Sequence, residues 1–306
     1  MVRKILVMAL MAAMLVGILG CGSDRSEPAK TQNQQTEDSV QVYYNTNWNQ
    51  KTLRVLAIGN SYTEDALMYL YDIALANGVE EIVLGNLYIG SCTLERHREN
   101  AESGAADYVY MKNDTGKWVH TPGKTLLEGI QDENWDFIVF HQESMNAGLP
   151  ASHKGNLEAL IGYVQKHKTN PECQLVWNLT WAYSENSPNS KFAQYGWDQA
   201  AMYRAIISAA QQKVLPLEQI SIVIPSGTVI QNGRSYFGNE FTRDKYDHLN
   251  DFGKLLVGYM WYSSLTGEPL LELKYAPDGL ELTDQAERKL LNCLTAAFAN
   301  PFEPKK

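Results

Sequence analysis

A few residues in this chain have the types and settings that acyl-transfer chemistry requires. Ser61 follows Gly59 and Asn60 in "RVLAIGNSYTED", where a run that is apolar at nearly every position stops at a turn. A serine hydroxyl becomes a nucleophile only when a base takes its proton and a third group orients that base. Of the six histidines, His248 is the best placed, in the polar stretch "FTRDKYDHLNDFGKLL". Asp244 and Asp247 lie close enough in sequence to share its loop. A carbonyl under attack also needs donors aimed at its developing oxyanion. The candidates are the backbone N–H groups of Ser61 and Gly90 and the side-chain amide of Gln142.

For these residues to meet, distant segments must converge. Strand-like runs at 53–58, 81–87, 136–140, 174–178 and 220–224 alternate with helical ones, notably 64–76, 156–166 and 197–213. Further helices are expected over 250–265 and 283–299. The alternation predicts an α/β fold with parallel strands and crossover helices on both faces. In Tyr108 to His120, "NDTG" separates two short runs and predicts a surface hairpin. Ligands of open parallel sheets sit outside the carboxyl ends of the strands. Ser61, Gly90, Gln142, Thr180-Trp181 and Ser226 all fall just past a strand.

The rest of the composition bounds the class. Arg3 and Lys4 precede an apolar run from Ile5 to Leu19, so residues 1–20 read as a secretory signal, too short for a spanning helix. Cys21 directly after Leu19-Gly20 resembles a bacterial lipobox, which implies cleavage before Cys21 and acylation of its thiol. Residues 21–50 are polar and read as a lipid-anchored tether, leaving 51–306 as the folded domain. The expected location is therefore the cell envelope outside the cytoplasm, with membrane contact through the anchor alone. Loss of the leader makes the chain two units more acidic than its formal −9, and no basic patch is present to meet phosphates. That argues against nucleic acid as a partner. Cys92, Cys173 and Cys293 remain, in no metal-type pair and too few for a disulfide framework.

"AIGNSYTED" looks like the nucleophile block of SGNH/GDSL hydrolases, "NLYIGSCTLERH" resembles their second block, "FIVFHQES" takes the place of the third, and "TRDKYDHLN" that of the last. Taken with "LVWNLTWAY" and "IPSGTVIQNGR", these segments more narrowly resemble the DUF4886 family, over nearly all of Leu53 to Gly267. The resemblance implies Ser61 as nucleophile, His248 as general base, and Gly90 and Gln142 beside the Ser61 N–H in the oxyanion hole. It also implies a three-layer α/β/α sandwich around a parallel five-stranded sheet of order 2-1-3-4-5, with Arg96 and His97 along the cleft and His141 as a further wall. Two departures stand out: Gln142 replaces the usual asparagine, and Lys245 stands where the usual Asp-x-x-His has its Asp. Asp244 curling back is preferred, with Asp247 as the alternative.

Other readings compete. Ser61 or Thr63 could be an ordinary helix cap. "LERHREN" crowds carboxylates around His97 but lacks H-E-x-x-H spacing, so no metal is expected, and ester hydrolysis by this machinery needs no cofactor. Trp181, past the fourth strand, could offer an aromatic plane to a sugar ring. The expected function is a serine esterase removing short acyl groups, acetyl foremost, from a small-molecule or glycan ester. The alternatives are a catalytically silent surface glycan-binding lipoprotein and a glycosidase using Asp65 and Glu143.

Overall fold

A computed structural model describes residues 43–46, 48, 51–239, 241–244 and 246–305. The leader, Cys21 and most of the expected tether lie outside them. Strand β1 (Thr52–Gly59) leads through α1 (Ser61–Leu67) and α2 (Leu70–Ala76) to β2 (Glu81–Tyr88). Then come α3 (Leu94–Ser103), β3 (Tyr108–Asn113), β4 (Val119–Lys124), α4 (Leu126–Gln131) and β5 (Phe137–Phe140). Helices α5 (Pro150–His153) and α6 (Asn156–His167) precede β6 (Gln174–Asn178). A 3-10 turn at Ser190–Tyr195 and α7 (Gln199–Lys213) lead to β7 (Ile220–Ile224). Helices α8 (Ser226–Phe237), α9 (Asp251–Thr266) and α10 (Asp284–Ala299) follow.

The continuous apolar character of β1 has a direct cause. Leu53, Val55 and Ala57 enter one hydrophobic core, while Leu56 and Ile58 enter a second on the opposite face. Successive side chains of a strand point to opposite faces, and here helices cover both. Residues of α1, α2, α8, α9 and α10 pack in the first core, and residues of α3, α4, α6 and α7 in the second. Among the described residues no helix is long and apolar enough to cross a membrane.

Strands β2-β1-β5-β6-β7 are parallel neighbours, the expected order of five. The sheet nevertheless has seven strands and is mixed. The hairpin β3–β4 is not a free surface ribbon: β3 pairs antiparallel with β2 from Leu84↔Asn113 to Tyr88↔Val109. A lone two-stranded ribbon is marginal in water. Docking buries Tyr108 and Tyr110 in the second core and covers the open edge of β2.

The tether also ends earlier than its polarity suggests. Asn45 is buried, its N–H donating to Ser264 O at 3.0 Å and its Nδ2 to Leu265 O at 3.0 Å. Tyr44 stacks on Phe298 with ring centroids 4.1 Å apart, and Tyr43 O accepts the Val223 N–H of β7 at 2.9 Å. Aromatic residues inside a polar stretch give that segment something to bury.

Candidate active site

The end of β1 sets the position of Ser61. A side chain at Gly59 would run into the Thr63 side chain and come within 2.6 Å of His141 Nε2. Asn60 then takes extended backbone and caps α1, its Oδ1 accepting the Tyr62 N–H at 3.0 Å. The cap is thus Asn60, not Ser61 or Thr63, and the Ser61 hydroxyl is not spent on the helix. It lies 2.9 Å from His248 Nε2. Across the ring, His248 Nδ1 is 2.5 Å from Asp244 Oδ2 and 3.5 Å from Asp247 Oδ1.

Asp244 reaches back across the position of Lys245 because its other oxygen organises the loop. Oδ1 accepts the N–H groups of Tyr246 at 2.8 Å and Asp247 at 3.2 Å. Burial pushes the Asp244 carboxyl up, but these donors and His248 outweigh it and hold the group below the usual carboxylate range. Burial pushes the Asp247 carboxyl up, and the nearby imidazole only partly offsets this. Asp244, Asp247 and His248 offer donor atoms within 4.8 Å of one another, the group among the described residues that could hold a metal ion.

The loop carrying His248 is closed on itself and fastened from two sides. Thr242 bridges Leu249, and Arg243 N–H donates to His248 O at 3.0 Å. Buried Asp65 of α1 accepts the Leu249 N–H and Arg243 Nη1, each at 2.7 Å. Trp181 Nε1 donates to Asp247 O at 2.7 Å, while its ring stacks on Tyr62 with centroids 4.2 Å apart.

Several expected site residues lie elsewhere in role. Trp181 is fully buried, so it supports the His248 loop from below rather than offering a face to a sugar. Asp65 is committed to the same loop, which removes one carboxylate from the glycosidase reading. Gln142 Nε2 donates to Ser152 O at 3.1 Å and Ser152 Oγ at 3.0 Å, and its Oε1 accepts from Leu94 N–H at 3.1 Å and Glu143 N–H at 2.8 Å. Those contacts use its full hydrogen-bonding capacity, so its amide is not an oxyanion donor. The longer arm lets these neighbours capture it. His97 is buried with Nδ1 2.9 Å from Tyr108 Oη, and burial lowers its pKa to about 3. His141 is buried beneath Gly59, its pKa lowered to about 4 by the same cause. Arg96 is exposed and pairs with Asp107 at 2.7 Å. None of these three lines the cleft.

That cleft has a volume of about 410 Å³ and is bordered by Ser61, His248, Asp247, Ser91, Glu143 and Tyr183, among others. Ser91, one position beyond Gly90, is its lining residue from the turn at 89–92, and has φ +51°. Asn60 Nδ2 donates to Cys92 O at 3.2 Å, tying this turn to the cap of α1. The far wall is an ordered polar chain. Asn189 Nδ2 donates to Tyr183 Oη at 3.1 Å, which lies 3.1 Å from Ser144 Oγ. Ser144 donates to Glu143 Oε1 at 2.9 Å, so the shared proton between Tyr183 and Ser144 comes from the phenol. Glu143 Oε2 accepts the Met145 N–H at 2.9 Å, and burial pushes its carboxyl up. Of this wall, the sequence suggested Glu143 alone as a chemical group, in the glycosidase alternative, and left Ser144 and Asn189 unassigned. The available signal was "HQES" immediately after buried β5, polar residues at the carboxyl edge of the sheet.

The family model described as "Domain of unknown function (DUF4886)" matches residues 54–292. A DUF4886 family protein from Bacteroides uniformis ATCC 8492 is 33% identical, with 83% of this chain and 97% of that one covered and a TM-score of 0.78. A proposed SGNH hydrolase of Slackia heliotrinireducens is 17% identical over 70% of this chain and 98% of its own, TM-score 0.45. A variant of a Geobacillus acetyl-xylooligosaccharide esterase is 9% identical over 69% and 92%, TM-score 0.45. At those scores neither of the last two carries anything about chemistry. No curated protein matches the chain. On the extent of the model match and the identity to the Bacteroides protein, this chain belongs to the DUF4886 family.

Proposed function

We propose that this protein is an extracytoplasmic serine ester hydrolase, lipid-anchored through Cys21, that removes short acyl groups from carbohydrate-type substrates. The observation that carries the reading is the unbroken run of contacts from Asp244 Oδ2 through His248 to Ser61 Oγ. In this mechanism Nδ1–H of His248 donates to Asp244, which leaves Nε2 free to accept the Ser61 proton. Ser61 Oγ attacks the acyl carbon, and the oxyanion forms beside the N–H groups of Ser61 and Gly90. The Ser61 N–H heads α1 and has no intrahelical acceptor. His248 then returns the proton to the departing alkoxide, and water repeats the cycle on the acyl-enzyme. No cofactor enters these steps.

The substrate class rests on the cleft wall. Glu143, Asp247, Ser144, Tyr183 and Asn189 supply acceptors and donors suited to hydroxyl groups, and the volume suits a short acyl chain. Turnover of nitrophenyl acetate to butyrate and of acetylated xylan, with a Ser61→Ala control, tests the reading. A fluorophosphonate adduct on Ser61 is expected. A protein inert to every ester and to the probe sinks it.

A binding-only surface protein is the second reading, favoured by the commitment of the Gln142 amide to Ser152. It predicts glycan binding that survives Ser61→Ala, without any labelling.

A further inference from the structure

From the geometry around Trp197 we infer that the protein has a second carbohydrate-binding site, outside the catalytic cleft, on which a neutral polysaccharide chain stacks against this indole. Trp197 is the exposed tryptophan among those described, at 52% exposure. Its backbone lies in the left-handed region at φ +58°. Gly196, at φ +71°, already terminates the preceding 3-10 turn, so the cap does not require a second left-handed residue. A bulky side chain seldom adopts that conformation. The indole meets buried Phe192 edge-on, with centroids 5.9 Å apart, which anchors one edge in the core.

Beside the ring is a separate cavity of about 500 Å³, lined by Glu185, Asp198, Gln199, Arg234 and Asn239 with Trp197 itself. These polar groups are held in place. Asp198 Oδ1 accepts the Ala201 N–H at 2.8 Å, and Asn239 Nδ2 donates to Glu185 Oε2 at 3.1 Å. Arg234 Nη2 donates to Ala182 O at 2.8 Å and Tyr183 O at 3.2 Å. A flat aromatic face beside fixed carboxylate, amide and guanidinium groups matches the two sides of a sugar ring, apolar C–H on its faces and hydroxyls at its rim. Acidic and basic groups both border the cavity, which suits an uncharged glycan. The segment at 183–189 joins the two sites: Tyr183, Pro188 and Asn189 border the catalytic cleft, and Glu185 borders this cavity. The inference rests on the carbohydrate class proposed above, but not on hydrolysis.

Affinity electrophoresis of the full chain through gels containing xylan, galactomannan or mixed-linkage β-glucan tests it. Wild type and Ser61→Ala are expected to be retarded by at least one of these. Trp197→Ala should lose that retardation, with affinity at least tenfold weaker, and Trp197→Phe should keep part of it. Nitrophenyl acetate turnover by Trp197→Ala should match wild type, which also shows that the variant is folded. Asn239→Ala provides a second, partial loss if the tryptophan variant does not fold. Absence of retardation by all three polysaccharides, or equal retardation of wild type and the Trp197 and Asn239 variants, overturns the inference. An inert but retarded wild type would refute the hydrolase reading and leave this site standing.

Discussion

The carboxylate of Asp65 and the guanidinium of Arg243, 178 positions apart, meet at 2.7 Å and fasten the loop of His248 to the helix of Ser61. The Asp65 side chain is 1% exposed and that of Arg243 44%, so the pair straddles the surface. Asp65 also accepts the Leu249 N–H, one residue beyond His248. Removing it leaves a buried donor without a partner. Asp65→Ala is expected to cost about 1–3 kcal/mol in urea unfolding and to lower kcat by loosening the Ser61–His248 contact. Stability lost with kcat unchanged would reduce the clamp to a purely structural role.

The two aspartates beside His248 are separable by substitution. Asp244→Asn should lower kcat by about 10³-fold or more, in line with loss of the group that fixes the imidazole tautomer. Asp247→Asn, removed from Nδ1 by 3.5 Å, should lower it by about tenfold or less on the same reasoning. Steady-state kinetics on a nitrophenyl ester decides between them, and the reverse order would transfer the orienting role to Asp247.

Gln142 provides a contrast with a true oxyanion donor, whose loss costs about 10²–10³ in kcat. Because its amide holds Ser152 and its carbonyl holds two N–H groups, Gln142→Ala should mainly destabilise, by about 1–3 kcal/mol. Turnover measured well below the melting temperature should change little. A hundredfold fall in kcat without lost stability would restore the side chain to the oxyanion hole.

Glu143 links stability to pH. Burial raises its native carboxyl pKa above the unfolded value, which is about 4.3. The stabilisation this gives is fully present below the unfolded value and is lost as pH rises through the raised native one. Burial raises Asp247 and Asp65 too, with the same sign, whereas the lowered Asp244 acts oppositely, losing its contribution only as pH falls through its native value. Buried His97 and His141, lowered to about 3 and about 4, act against the raised carboxylates in weak acid, because the unfolded chain takes up their protons below about 6.5. Glu143→Gln should therefore gain stability relative to wild type as pH rises from weak acid to about 8. Calorimetry across the range checks it, and an unchanged slope in the variant would contradict it.

Much of this molecule follows from local sequence. Period-two burial within continuous apolar runs, alternating with helical stretches, is a backbone property, and it yields the five parallel strands, whose order the family resemblance supplied. The Gly-Asn-Ser stop after β1 likewise puts Ser61 at the carboxyl edge of the sheet, and the spacing around His248 brings two aspartates into one loop. Tertiary packing decided the rest, because the direction of a long side chain depends on which neighbours still need a partner. Gln142 turned to Ser152, and Trp181 sank under the His248 loop instead of lining a groove. His97 and His141 were sealed between the sheet and its helices, and the 108–120 hairpin became the edge of the sheet because the β2 edge lay open beside it. Trp197 stayed outside for the complementary reason: its backbone is fixed by the turn, and only the edge of its ring finds a place in the core.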